Sequence, residues 1–229
     1  MIISRRLKLI SDLVENVNSI VDVGTDHGYV VIDLINSGKL ERAIASDINK
    51  GPVERAKKNI SDYNLSDKIE CRLGGGLKTV DPGEVEAAVI AGMGGNLIRD
   101  ILLESKDVFE KLKYVIVQPV QNPEVLREYI YKAGWNLEDE WIIYDEEKYY
   151  EIFKVSYGNN TKSIDDMYYE ISEILLNKKD LVYKDYLSHK ISKYSRVYEG
   201  LNEETENSRI RKKELSKKIE ALEKALKNF

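Results

Sequence analysis

Over the first 160 residues, short apolar runs alternate with amphipathic stretches, the pattern of a parallel sheet flanked by helices. The runs predict strands near residues 19–23, 41–46, 68–72, 86–91, 113–117, 137–144 and 149–156. Helical spacing predicts helices near 5–15, 28–37, 50–62, 95–105 and 122–133. Pro52 and Pro123 suit a first helical turn, where a missing N–H has no partner to lose, and Asn122 can cap the later helix. Only Asp145-Glu146-Glu147-Lys148 separates the last two strands, so they should pair as an antiparallel hairpin.

After Gly158-Asn159-Asn160 the pattern changes. From Ser163 to about Tyr198 apolar residues recur at helical spacing through Ile171, Leu175, Val182, Tyr186, Ile191, Tyr194 and Val197. A second series runs through Ile210, Leu215, Ile219, Leu222 and Leu226. Gly200-Leu201-Asn202 interrupts them, so residues 161–229 read as a helical hairpin that buries both stripes in a coiled-coil seam. Tyr168, Tyr169, Tyr183, Tyr186, Tyr194 and Tyr198 could stack on bases, but tyrosines at this spacing are expected in the core.

Composition narrows the function. The chain of 229 residues is long enough for one full core with an appendage. A single cysteine, Cys71, rules out an internal disulfide, and His27 and His189 alone make no zinc-ligand cluster, so no metal is expected. No run approaches the roughly 18 apolar residues of a membrane span, so a cytoplasmic protein without a membrane partner is expected, and the sequence leaves the oligomeric state open, a monomer included. The net charge of −5 is uneven: residues 161–229 carry 15 Lys and Arg against 13 Asp and Glu, leaving the acidic excess to residues 1–160. A nucleic-acid surface would therefore be a local patch, such as Arg5, Arg6 and Lys8 or Arg209-Ile210-Arg211-Lys212-Lys213, although such runs also suit solvated helix faces.

The chemistry concentrates at Ile20-Val21-Asp22-Val23-Gly24-Thr25-Asp26-His27-Gly28, an apolar strand ending in an acid, then a glycine turn that opens a helix. Glycine lets a ligand approach the backbone, and the N–H groups of the helix start face the same space. The next strand, Ala43-Ile44-Ala45-Ser46-Asp47, ends in an acid suited to both hydroxyls of a ribose, which points to an adenosine-bearing ligand. A dinucleotide fingerprint would need glycine at position 26. Asp26 would repel a diphosphate and attract the ammonium or sulfonium of S-adenosylmethionine. Asp22 and Asp26 could alternatively cap the helix that follows. Arg72-Leu73-Gly74-Gly75-Gly76-Leu77, Val89-Ile90-Ala91-Gly92-Met93-Gly94-Gly95 and Gln118-Pro119 also fall at expected strand C-termini, the edge at which open α/β sheets bind ligands.

Together, the segments at 22–29, 72–77, 90–95 and 118–119, followed by a helical tail, resemble the bacterial tRNA adenine-N1-methyltransferases that modify adenine-22, over the whole chain. The Ala-Gly-Met-Gly-Gly segment is the most specific element. The resemblance implies an α/β fold, a class I methyltransferase Rossmann-like sheet that is mostly parallel with a terminal antiparallel hairpin, over residues 1–160. It also implies S-adenosyl-L-methionine as cofactor, tRNA as partner and a C-terminal coiled coil over residues 161–229 that helps hold the tRNA. On that basis Asp22 and Gly24 are assigned to the methionine side of the cofactor, Asp47 to the ribose, and Gly75, Gly76 and Leu77 to the adenine, and Asp26, His27, Gly28 and Ile48 also belong to the cofactor set. Ala91, Gly92, Met93 and Gly94 complete the cofactor set. Asp26, Tyr29, Gln118 and Pro119 are the catalytic candidates, with Asp26 serving either cofactor or substrate, and His27 is expected to orient or pack.

Two departures stand out. Gly75 replaces the family's usual Asp, an acceptor for the cofactor's adenine amine whose loss costs about 0.5 to 1.5 kcal/mol. Val120 follows Pro119 where the family tends to have Asn, an amide that Asn122 could replace. Two other classes remain open from sequence: a nicotinamide oxidoreductase, which shares the strand, turn and ribose acid, and a noncatalytic S-adenosylmethionine-binding adaptor, which Gly75 would suit.

Overall fold

In the computed structural model, which describes residues 3–161, 164–202 and 205–229, the apolar runs form β1 (Ser19–Val23), β2 (Arg42–Asp47), β3 (Ile69–Leu73), β4 (Ala87–Gly94), β5 (Tyr114–Gln121), β6 (Asn136–Asp145) and β7 (Lys148–Ser156). They make one sheet in the order β3-β2-β1-β4-β5-β7-β6. Pairing is parallel from β3 to β5, and β7 lies antiparallel between β5 and β6. Every residue of β1 is buried, as a central strand covered on both faces requires.

The helices α1 (Arg5–Asp12), α2 (Tyr29–Asn36), α3 (Lys50–Asp62), α4 (Gly95–Glu104), α5 (Lys106–Phe109) and α6 (Pro123–Ala133) cover the faces. Successive strand residues point to opposite sides, so Ile20 joins Val31, Leu34 and Ile60 in one core layer. Val21 joins Ile90, Ile98 and Phe109 in the other. The hairpin is fixed to α6 by Arg127, which is buried between Glu140 and Glu151 and donates from Nε to Glu140 at 2.9 Å. Among the described residues no helix is long and apolar enough to cross a membrane, and no group of side chains could hold a metal ion.

Two strands run further than the pattern predicts. β4 continues to Gly94 and β5 to Gln121 because a bulge carries the pairing on, Met93 opposite Pro119 and Gly94 opposite Gln121. Gly92 takes the positive φ of 78° that this irregular path needs. Asn122 precedes α6 but does not cap it: its φ is 53° and its side chain makes no cap bond. Its carbonyl lies 2.4 Å from where a Cβ on Gly95 would sit, so the start of α4 packs directly on this turn.

The chain divides into two compact units, Met1–Ser163 and Ile164–Phe229. In the second, the single long helix expected before Gly200 is broken into α7 (Met167–Glu170), α8 (Glu173–Lys178) and α9 (Leu181–Gly200), followed by α10 (Glu206–Leu226). Its expected start at Ser163 lies outside the described residues. The breaks come from local caps: Ser172 accepts from the Leu175 N–H, Lys179 turns left-handed at φ 54°, and Asp180 accepts from the Tyr183 N–H. The buried residues of α9 are Tyr183, Leu187 and Lys190 and those of α10, which packs on it, are Leu215, Leu222 and Ala225, whereas Val197 and Ile210, expected in the seam, are exposed.

Candidate functional site

The first turn is shaped by the backbone of β2. The N–H groups of Gly24 and Thr25 both donate to the Ser46 carbonyl, at 2.8 and 2.9 Å, which bends the chain sharply as β1 ends. Gly24 and Gly28 hold positive φ of 78° and 71°. The Gly28 N–H donates to the Thr25 hydroxyl oxygen at 3.1 Å, and α2 begins at the next residue. On the neighbouring strand the Gly74 N–H donates to the Asp47 carbonyl, and Asp47 Oδ1 accepts from the Asn49 N–H at 2.7 Å.

Two cavities open at this edge and meet at Gly24. One, of about 290 Å³, is lined by Asp47, Ile48, Gly74, Gly75, Gly76, Leu77 and Met93, with Leu97, Asp100, Ile101 and Glu104 from α4. The other, of about 240 Å³, is lined by Asp22, Thr25, Asp26, His27, Gly28, Tyr29, Ala91 and Gly92, with Arg6 and Leu7 from α1. Met93, which lines the first cavity, crowds Gly24: its Cε lies 2.2 Å from where a Cβ on Gly24 would stand. Gly94 lies beside these linings at the end of β4 and Pro119 is buried in β5.

The two acids of the turn differ. Asp22 is 6% exposed, and burial pushes its carboxyl up to about 6, against a hydrogen bond from Thr25 and with the charge of Asp47 adding to the rise. Among the described residues no cation pairs with it. Asp26 points outward instead, its side chain 58% exposed, and is taken by Arg55 of α3, whose Nε donates to Oδ1 at 3.0 Å. His27 Nε2 is 3.2 Å from the other Asp26 oxygen, and its ring stacks on Tyr29 with centroids 5.0 Å apart. The charge argument drawn from sequence at Asp26 therefore belongs more strongly to Asp22.

Gln118 is fully buried and its amide is committed on both sides. Oε1 accepts from Arg6 Nη1 at 2.6 Å, and Nε2 donates to the Pro119 carbonyl at 2.9 Å. Arg6, Lys78, Asp100 and Glu104 are the lining residues that carry charge and that motif reading passed over, and Lys78 pairs with Glu104. Arg6 had a signal, its place in the basic run near the N-terminus, whereas Asp100 and Glu104 lie on an ordinary amphipathic helix.

A family model described as tRNA (adenine(22)-N(1))-methyltransferase matches residues 20–224. The tRNA (adenine(22)-N(1))-methyltransferase of Bacillus subtilis is 29% identical over 230 residues, which covers 98% of this chain and 97% of that protein. The crystal structure of the B. subtilis M1A22 tRNA methyltransferase superposes with a TM-score of 0.88 at 29% identity, covering 98% of this chain and 99% of that one. A Streptococcus pneumoniae protein solved in complex with S-adenosyl-L-methionine superposes with a TM-score of 0.87 at 28% identity, covering 98% of this chain and all of that one. Strand order, the acid-and-glycine edge and these likenesses agree, and the chain belongs to the tRNA (adenine(22)-N(1))-methyltransferase family.

Proposed function

We propose that this protein transfers a methyl group from S-adenosyl-L-methionine to N1 of adenine-22 in tRNA. The observation that carries the reading is the buried, cation-free Asp22 beside a glycine turn, with a cavity on either side of Gly24 at one sheet edge. The residues present fit the cofactor: an acid with no cation beside it among the described residues for a cationic amino-acid end, a strand-end acid for a ribose, and an apolar slot between Ile48, Leu77, Leu97 and Ile101 for a flat base. When bound, S-adenosyl-L-methionine supplies a methyl carbon made electrophilic by its sulfonium charge.

In this assignment Asp22, Gly24 and the turn from Thr25 to Gly28 hold the methionine end, Asp47 receives the ribose hydroxyls under Ile48, and Gly75, Gly76 and Leu77 line the adenine. Asp100 and Glu104, paired with Arg99 and Lys78, bring carboxylates to the cavity wall where Gly75 has no side chain. Ala91, Gly92, Met93 and Gly94 form the wall between donor and substrate. Adenine N1 attacks through its lone pair and no proton must leave, so the side chains align the base and exclude water. Tyr29 and Pro119 frame the base, Gln118 positions Arg6 and the Pro119 peptide, and Asp26, held by Arg55, supports the turn. The N1 edge is used in Watson–Crick pairing, so the target nucleotide is taken unpaired. Residues 161–229 hold the tRNA, and the enzyme works as a cytoplasmic monomer.

Incubation with S-adenosyl-L-methionine and tRNA lacking the modification, followed by nucleoside analysis, tests the reading. 1-Methyladenosine at position 22 is expected. N6-methyladenosine, 1-methylguanosine or no methylated product overturns it.

A further inference from the structure

One wall of the cavity beside Asp22 and Tyr29 is built by α1, which carries Arg6 into it. Three contacts fix the residue there. Its backbone N–H donates to Asp145 Oδ2 at 2.9 Å, Nη1 donates to Gln118 Oε1 at 2.6 Å, and the guanidinium lies over the Tyr150 ring, 5.1 Å from its centroid. Gln118 cannot turn away, because it is fully buried and its Nε2 is held by the Pro119 carbonyl. A neutral amide uses one of five guanidinium N–H donors and compensates none of the charge. Among the described residues no carboxylate pairs with the Arg6 side chain.

The remaining charged groups lining this cavity are Asp22 and Asp26, with His27 beside them. Among the described residues Asp22 has no cation and the Arg6 guanidinium has no carboxylate partner, so the cavity presents unmatched charges of both signs. A reactant that brought only a cation would leave Arg6 uncompensated.

We infer that Arg6 is the oxyanion receptor of this cavity, its guanidinium donating to carboxylate or phosphate oxygens of a bound reactant. The inference rests on the methyl-transfer reading, which offers two such oxyanions. One is the α-carboxylate of the donor, which would make Asp22 and Arg6 a matched pair for a zwitterion. The other is the phosphate next to the target adenine.

The test compares the intact protein with Arg6→Met, Arg6→Lys and, as a charge control on the exposed side of the same helix, Arg5→Met. S-adenosylhomocysteine and 5′-methylthioadenosine, which lacks the amino-acid end, are titrated calorimetrically, and tRNA methylation is followed across a salt series. If the oxyanion is the donor carboxylate, Arg6→Met weakens S-adenosylhomocysteine about tenfold or more, Arg6→Lys restores part of the loss, and 5′-methylthioadenosine is unaffected. If it is the RNA phosphate, both small ligands bind as before, the tRNA KM rises about tenfold, and the log–log salt slope becomes shallower by about 0.7. Arg6 variants that match an active parent, an equal effect from Arg5→Met, or equal losses for both small ligands would overturn the inference and leave the methyl-transfer reading standing. A parent protein that binds no S-adenosylhomocysteine and methylates no tRNA removes both.

Discussion

Two of the buried carboxylates, Asp22 in the first compact unit and Glu170 in the second, sit in opposite electrostatic surroundings. Burial raises both. At Asp22 nothing reverses it, and the carboxyl is pushed up to about 6 with only the Thr25 hydroxyl pulling it down. At Glu170 burial acts the same way, but the charge of Lys190 and hydrogen bonds from Lys190, Lys218 and Tyr194 bring the carboxyl down to about 2. Lys218 Nζ lies 2.6 Å from Glu170 Oε2, and the Tyr194 hydroxyl donates to Oε1 at 2.6 Å. Glu170 is thus matched by its own chain and ties α7 to α9 and α10, whereas no cation among the described residues pairs with Asp22, the acid we propose meets the ligand. The difference separates a buried acid that the fold itself accounts for from one at a strand end that is a candidate for binding.

The largest break in this comparison comes from Glu170→Gln. It strands two lysines around a neutral amide and should cost the helical unit on the order of 3 kcal/mol, read as an earlier helical melting transition with S-adenosylhomocysteine affinity unchanged. Gly24→Ala should act in the other unit with the opposite emphasis. Its methyl must displace Met93, which also lines the adjoining cavity, so ligand affinity should fall about tenfold or more, while the positive φ costs only about 1 kcal/mol of stability. Asp22→Asn sharpens the contrast further. It removes a strained charge, so the unliganded protein should melt no lower, and on the order of 1 kcal/mol more stable at pH 7.5, even as it loses ligand affinity.

The smallest effect is in the acid response, where the two groups have opposite signs. Glu170 has a depressed carboxyl, so its contribution is present above the ordinary value of 4.5 and is lost as pH falls towards 2. Asp22 has a raised carboxyl, so the folded protein takes up a proton before the unfolded chain does, and its contribution declines as pH rises from 3.8 to about 6. Denaturant melts of the Glu170→Gln and Asp22→Asn proteins between pH 2.5 and 7, set against the parent, should separate the two slopes. Parallel slopes would dissolve the distinction.

Much of the sheet was legible because its signals are local. The acid, the glycines and the start of α2 lie within nine consecutive residues, and Asp145 to Lys148 left room for nothing but a hairpin turn. What escaped depends on contacts distant in sequence. Asp26 looked like a free charge until Arg55, 29 positions away, turned it outward, and Arg6 looked like a solvated helix cation until Gln118, 112 positions away, took it. The breaks at Ser172 and Asp180 were written in residues that favour caps, but the apolar stripe running through them carried a stronger signal for one continuous helix.

The most direct measurement is calorimetric titration of S-adenosylhomocysteine into the parent and Asp22→Asn proteins at a series of pH values from 5 to 7. An acid that ionises near pH 6 to meet the ligand's ammonium gives the parent an affinity that rises about tenfold over that range, while the variant binds weakly and evenly throughout. A variant that binds as tightly as the parent, with the same pH profile, would contradict the account.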